Sequence, residues 1–117
     1  MTNFRNLKIW KKGMELVIDI YKLSEMLPKE EKFGLKSQIT RAAISIPSNI
    51  AEGCSRSSQK DFKRFLEVSL GSAFELETQL LIIQELKLSE IDRLNYMINN
   101  LHEEQKMING FINTLKN

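Results

Sequence analysis

The stretch DFKRFLEVSLGSAFELETQLLII, residues 61–83, has the plainest helical pattern in the chain. Small and apolar residues recur there at alternating steps of four and three, which places their side chains on one face of an α-helix. This stripe consists of Phe62, Leu66, Ser69, Ala73, Leu76, Leu80 and Ile83. Ser58 lies just before this stretch, and Asp61, its first residue, comes three positions after Ser58. This spacing is typical of a capped helix start. We therefore predict a long amphipathic helix that begins near Ser58.

The same spacing predicts two helices upstream. One covers residues 5–27 and ends before Pro28. The other begins between Lys29 and Leu35 and runs to Gly53, which we interpret as its C-terminal cap. We expect the first helix to bury Leu7, Trp10, Met14, Val17 and Tyr21, and the second to bury Leu35, Ile39, Ala42 and Ile46.

Downstream, Ser89 with Asp92 repeats the capping pattern and predicts a last helix. Its stripe is Ile91, Leu94, Ile98, Leu101, Gln105, Ile108, Ile112 and Leu115. Long amphipathic helices joined by short loops pack as antiparallel neighbours. We therefore predict the all-α class, with residues 1–117 forming a single domain, an up-down-up-down antiparallel four-helix bundle.

Composition excludes several classes of protein. The chain is 42% hydrophobic and 27% charged, which is typical of a soluble globular domain. It has no signal-peptide pattern and no run of about 18 apolar residues, so we expect a cytoplasmic protein without a membrane role. Cys54 and His102 are the only cysteine and histidine, and they offer neither a metal-ligand set nor a catalytic constellation. We interpret Cys54 as a plain loop cysteine and His102 as a solvated surface residue, and we expect no cofactor, no metal and no enzymatic activity.

Two helices carry more apolar residues than one bundle face needs. The additional stripes are Ile9, Leu16, Ile20, Leu23 and Leu27 in the first helix, and Leu70, Phe74 and Leu81 in the third. Apolar surface left over after folding favours contact with another subunit. We predict self-association; the alternative is an overfilled core with a few exposed leucines.

Two segments resemble a known family. GLKSQITRAAISIPSNIAEG (34–53) and DFKRFLEVSLGSAFELETQL (61–80) resemble the four-helix bundle proteins encoded in intervening sequences of bacterial 23S ribosomal RNA genes. This resemblance implies a ring-shaped homopentamer with no known enzymatic activity. A related branch resembles accessory proteins of diversity-generating retroelements, which implies binding of a reverse transcriptase and of nucleic acid through a basic surface. The matching signature positions, none with an implied catalytic role, are Arg41, Ser45, Pro47, Ser48, Asn49, Glu52, Gly53, Gly71, Ser72, Glu75 and Glu77.

Pro47 interrupts the second helix, where a proline costs about 3 kcal/mol. We interpret it as a kink that directs the first half of the helix into its own bundle and the second half toward a neighbouring subunit. The carbonyl that loses its donor is expected to find a serine hydroxyl, a neighbouring chain or water. Ser45, Asn49 and Glu52 share a face, and we favour a structural role for them over a small polar site. Glu52 is expected to pair with Arg56.

The formal net charge of +2 is unevenly distributed. Residues 1–64 contain 13 basic and 7 acidic side chains, whereas residues 65–117 contain 4 and 8. The cations gather at two predicted helix starts, which share one end of an up-down-up-down bundle: Arg5, Lys8, Lys11 and Lys12, with Arg56, Lys60, Lys63 and Arg64. Helix starts favour acids, so these cations indicate another purpose, and we predict binding to the backbone of RNA or DNA. The alternatives are solvated helix ends and a protein-interaction scaffold, for example for a reverse transcriptase, with no direct nucleic-acid role.

Overall fold

The computed structural model describes residues 3–31 and 33–115. Within them lie four α-helices and two short 3-10 turns, at Phe4–Asn6 and Lys29–Glu31, and no strand. The helices are α1 (Lys8–Met26), α2 (Leu35–Cys54), α3 (Gln59–Glu85) and α4 (Ile91–Thr114). None of these helices is long and apolar enough to cross a membrane. The predicted all-α class is confirmed.

Contacts between the helices show how they run. Along each neighbouring pair, residue numbers rise on one helix as they fall on the other, which is the antiparallel arrangement of an up-down bundle. The contacting pairs are Ile46–Ser69 and Gly53–Phe62 between α2 and α3, and Glu77–His102 and Phe62–Phe111 between α3 and α4. At the start of α1, Leu7 shares a groove with Phe111, and further along Lys12 contacts Asn100, so α1 is antiparallel to α4. The starts of α1 and α3 therefore lie at the same end of the molecule as the ends of α2 and α4.

The buried face of α3 is the one predicted from the sequence. Every residue of the stripe from Phe62 to Ile83 is buried. The Ser58 hydroxyl caps the helix by accepting a hydrogen bond from the backbone N–H of Asp61 at 3.1 Å. In α2 the predicted stripe is buried except for Leu35, which is half-buried. In α4 it is buried except for Ile91, which is exposed, and Leu115, which lies beyond the helix and is half-buried.

The prediction for α1 was wrong about which stripe is buried. The core-facing residues are the supposed surplus, Ile9, Leu16, Ile20, Leu23 and Leu27. Of the stripe predicted to be buried, Met14 and Tyr21 are 39% and 44% exposed, and Leu7, Trp10 and Val17 are half-buried. Gly13 explains the choice, because a Cβ there would lie 3.1 Å from Glu104 and 3.3 Å from Pro47. The face containing this glycine can approach α2 and α4 most closely.

Two helix boundaries also differ from the prediction. Gly53 does not cap α2 but lies within it, and the C-cap is Ser55. A Cβ on Gly53 would lie 2.8 Å from the Phe62 ring, so the glycine permits the close approach of α3. At the start of α4 the N-cap is Glu90, without a side-chain hydrogen bond, so the predicted cap at Ser89 was wrong.

Cys54 and Pro47 are both buried in α2. Cys54 is the last residue of the helix and not a loop cysteine, which corrects the sequence interpretation; burial raises the pKa of its thiol. Pro47 lies inside the continuous helix. A serine hydroxyl does reach the α2 backbone nearby, since Ser69 Oγ donates to the carbonyl of Ile46 at 2.8 Å. This is not the carbonyl of Ala43, whose usual donor Pro47 lacks.

Candidate nucleic-acid interface

The exposed cations predicted from the sequence gather at the end of the bundle where α1 and α3 begin. We call this end the basic pole and define it by six exposed side chains: Arg5, Lys8, Lys11, Arg56, Lys60 and Arg64. Two helix N-termini and two helix C-termini meet at this end, so the helix dipoles there largely cancel and the positive charge of the pole comes from its side chains. Lys63, from the predicted set, is half-buried on α3.

Lys12 does not belong to the basic pole. Its side chain is only 18% exposed, and its Nζ lies 3.4 Å from a carboxylate oxygen of Glu103 and donates to Asn100 Oδ1 at 3.4 Å. The lysine is therefore directed along the α1–α4 contact. We assign it a structural role instead of the predicted phosphate contact.

Arg56 has two partners of its own at the pole. Its guanidinium lies 3.2 Å from a carboxylate oxygen of Glu52, which confirms the predicted pair, and 4.6 Å from the centre of the Phe65 ring. An exposed pair of this kind contributes at most about 1 kcal/mol. Arg56 is thus held in place while remaining solvent-accessible.

Aromatic rings lie among these cations. Phe4 and Trp10 make an edge-to-face contact at 5.2 Å, and the Arg5 guanidinium lies 5.8 Å from the Phe4 ring centre. Phe62 and Phe111 make a second edge-to-face contact at 5.6 Å. Such contacts fix the packing of the helix ends that present the cations.

Two grooves open at the pole, on either side of Phe111. The α1–α4 groove has a volume of about 450 Å³ and is lined by Asn6, Leu7, Lys8, Ile9, Met107, Gly110, Phe111 and Thr114. The α2–α3–α4 groove has a volume of about 220 Å³ and is lined by Cys54, Arg56, Ser57, Ser58, Gln59, Phe62, Phe111 and Leu115. The α1–α4 groove has one cation, Lys8, and no carboxylate among these lining residues, so it favours an anionic ligand, whereas the charge of Arg56 in the second groove is paired with Glu52.

Several signature residues serve the α2–α3 contact. Ser45 and Ser72 share a hydrogen bond of 2.7 Å between their hydroxyls, and the Asn49 amide donates to Ser45 Oγ at 2.9 Å and to its carbonyl at 2.8 Å. This arrangement supports the structural role favoured from the sequence. Exposed signature positions on these two helices are Arg41, Ser48, Glu52, Gly71 and Glu75.

Glu77 joins α3 to α4. It accepts a hydrogen bond from Gln105 Nε2 at 2.8 Å and lies 3.0 Å from Nε2 of His102. The pKa of Glu77 is lowered chiefly by the Gln105 hydrogen bond, with His102 contributing. His102 is exposed, as expected, but has this partner.

Sequence reasoning missed Glu104, a fully buried carboxyl on α4. Neither of its oxygens has a hydrogen-bond partner within the described part of the chain. Desolvation raises its pKa to about 8, and nearby Lys12 only partly opposes this effect. The signal was present in the spacing, since Glu104 stands three residues after Leu101 and four before Ile108, both in the core. No group of three or more potential metal ligands (His, Cys, Asp or Glu) occurs among residues 3–31 and 33–115.

The comparisons with known proteins place the chain in a family. The family model for the 23S rRNA-intervening sequence protein matches residues 5–110. The chain belongs to this family. This 23S rRNA-intervening sequence protein is also similar to a solved structure from Bacteroides thetaiotaomicron, described as a protein of unknown function from the S23 ribosomal protein family. The TM-score is 0.83 at 28% identity, over 89% of this chain and 97% of that one.

The family assignment confirms the resemblance read from residues 34–53 and 61–80. No curated protein matches the chain. Neither the family description nor that of the solved structure names a catalytic activity. Neither description names a retroelement accessory protein, so the likeness to retroelement accessory proteins stays a prediction.

Proposed function

We propose that this 23S rRNA-intervening sequence protein is a non-catalytic, oligomeric bundle that binds the phosphate backbone of RNA or DNA through its basic pole. The observation that carries the proposal is the gathering of six exposed cations at one end of the bundle. For Lys8, Lys11, Lys60 and Arg64, no ion pair with an acid occurs within the described part of the chain. Their charge is available to phosphates.

Self-association is part of the proposal. Support comes from large apolar side chains on the surface of α3, among them Phe74 at 54% exposure and Val68, Leu81 and Ile82. A ring of parallel bundles, the homopentamer implied by the resemblance, would repeat the basic pole on one face and multiply its phosphate contacts. Sedimentation at micromolar concentration should then give a mass of five times 13.6 kDa. A particle of the chain mass alone would refute self-association.

A salt titration tests the nucleic-acid proposal. Phosphate contacts predict that log affinity falls linearly with log salt, with a slope of about 0.9 for each contact on duplex DNA. The triple variant Lys8→Glu, Lys11→Glu, Lys60→Glu should lose binding to both RNA and DNA. The matched control reverses three exposed lysines outside the pole, Lys22→Glu, Lys29→Glu and Lys87→Glu, and should keep most of it.

Two results would reject the proposal. Absence of binding, or an affinity that does not change with salt, would favour a protein partner such as a reverse transcriptase as the ligand of the pole. An equal loss of affinity in the two triple variants would mean that the net charge of the protein, and not the position of the cations at the pole, governs binding.

A further inference from the structure

The α1–α4 groove has a property that phosphate binding alone does not require. Four of its lining side chains, Leu7, Ile9, Met107 and Phe111, are apolar, and they lie beside the cation Lys8. A backbone phosphate is bound by cations and hydrogen-bond donors. An apolar groove favours a ligand that also buries apolar surface on binding. The groove and the pole together therefore call for a ligand with both an anionic and an apolar part.

Gly110 lies in the wall of this groove. A Cβ at position 110 would meet nothing within 4 Å, unlike one at Gly13 or Gly53, where other helices approach closely. A glycine inside a helix is less favourable than alanine by about 1 kcal/mol. Packing within the bundle does not explain the glycine in α4, and position 110 has room for a side chain that would enter the groove.

We propose that the basic pole takes single-stranded nucleic acid in preference to duplex, with an unpaired base in the α1–α4 groove and its phosphates on Lys8 and the neighbouring cations. This inference rests on the proposed function. In a duplex the bases are stacked inside the helix, whereas an unpaired base can leave the strand and lie against apolar and aromatic side chains. Asn6 at the rim has an amide that can both donate to and accept from a base edge.

Charge complementarity selects this occupant over a neutral apolar ligand. The lining residues of the groove include Lys8 and no acid, and Arg5 and Lys11 are exposed in the same segment of the chain. A nucleotide carries its anionic phosphate and its flat base on the same sugar, so the two can reach a cation and an adjacent apolar groove together. An acidic amphipathic peptide is the competing occupant, and the experiment below separates the two.

The experiment compares three labelled probes at one salt concentration by fluorescence anisotropy. The probes are a single strand of oligothymidylate, a strand of the same length with abasic sugars at every position, and a DNA duplex. The abasic strand keeps the phosphates and removes the bases. The base-bearing strand should bind about tenfold more tightly than the abasic strand, and also more tightly than the duplex.

Gly110→Leu fills the groove without touching a cation. In this variant the preference for the base-bearing strand should fall to near one, while affinity for the abasic strand stays unchanged. Gly110→Ala is the matched control and should retain the preference, because its methyl group enters open space. Circular dichroism and sedimentation of both variants establish that fold and assembly are intact.

The outcomes distinguish this inference from the proposed function. Equal binding of base-bearing and abasic strands by the unaltered protein would overturn the base site while leaving the phosphate contacts in place. No binding of any probe would overturn both. Binding of an acidic amphipathic peptide that Gly110→Leu abolishes, with the strand preference unchanged, would assign the groove to a protein and overturn the inference.

Discussion

Replacing Glu104 by glutamine should stabilise the protein, by an amount that grows with pH. The carboxyl is fully buried on α4, and neither oxygen has a hydrogen-bond partner within the described part of the chain. Its pKa is about 8 in the folded protein against an ordinary value of 4.5, mainly because burial disfavours the charged form. Of its charged neighbours, Lys12 lowers this pKa and Glu15 raises it.

The direction of the pH dependence follows from proton binding. Between about pH 4.5 and 8 the folded protein holds a proton on Glu104 that the unfolded chain has released, so unfolding becomes easier as pH rises. Each pH unit changes the free energy of unfolding by about 1.4 kcal/mol. The loss is absent below about pH 4.5, reaches about 3 kcal/mol at pH 7 and is complete, at about 5 kcal/mol, above pH 8.

Glu104→Gln removes this titration while keeping the shape of the side chain. Urea unfolding of both proteins at pH 5, 6, 7 and 8, at one fixed protein concentration, measures the difference in the free energy of unfolding. The difference should be small at pH 5 and should favour the variant by about 3 kcal/mol at pH 7. Glu103→Gln, at an exposed position next in the chain, should show no such trend beyond the loss of a surface pair with Lys12. A difference that is the same at pH 5 and pH 8 would refute the reasoning.

Three further predictions concern residues of α2 and α3. Gly53→Ala places a Cβ 2.8 Å from Phe62 and should destabilise the fold by about 1–3 kcal/mol in thermal melts. The control Gly71→Ala, whose Cβ meets nothing within 4 Å, should stabilise the fold by up to about 1 kcal/mol. Equal effects of the two substitutions would contradict the close approach of α3 to Gly53. Pro47→Ala should leave helix content unchanged and reduce the mass seen by light scattering, and an unaltered oligomer would rule out the proposed kink toward a neighbour. The Cys54 thiol, buried and with a raised pKa, should react with a thiol reagent at neutral pH only as fast as the protein opens, and rapid reaction would contradict its burial.

The contrast between α3 and α1 shows how far spacing alone predicts a core. In α3 the longer of the two apolar stripes, from Phe62 to Ile83, is the buried one, and it was correctly predicted. In α1 two apolar stripes are rotated by about 100° from each other, so hydrophobicity cannot choose between them. The choice depends on Gly13, which adds nothing to an apolar count but allows α1 to approach Pro47 and Glu104.

Of the helix boundaries, some could be predicted from the sequence and others could not. The start of α3 was predictable because the Ser58 cap is a local interaction with Asp61. The role of Gly53 was not, because the reason for that glycine is the Phe62 ring on another helix. A hydrogen bond between residues close in sequence can be predicted from the sequence, whereas a close contact between two helices depends on which helices pack together.

The candidate site was predictable to the level of helix ends. The cations share one end because antiparallel topology brings the starts of α1 and α3 together. Which cations remain available was not predictable, since Lys12 is bound by Asn100 and Glu103, about 90 positions further along the chain. The α1–α4 groove likewise exists only once the end of α4, with Gly110, lies beside the start of α1.

The start of α1 is poorly arranged for stability. Its N-cap, Leu7, makes no side-chain hydrogen bond, its first turn contains no acid, and Lys8 and Lys11 place positive charge beside the helix dipole. The start of α3, in contrast, has both the Ser58 cap and the acid Asp61, which stabilise a helix N-terminus. Phosphates bound at α1 would supply the negative charge that this helix start lacks. The unfavourable start therefore agrees with a pole that binds anions, and nucleic acid should raise the melting temperature of the protein more at low salt than at high salt.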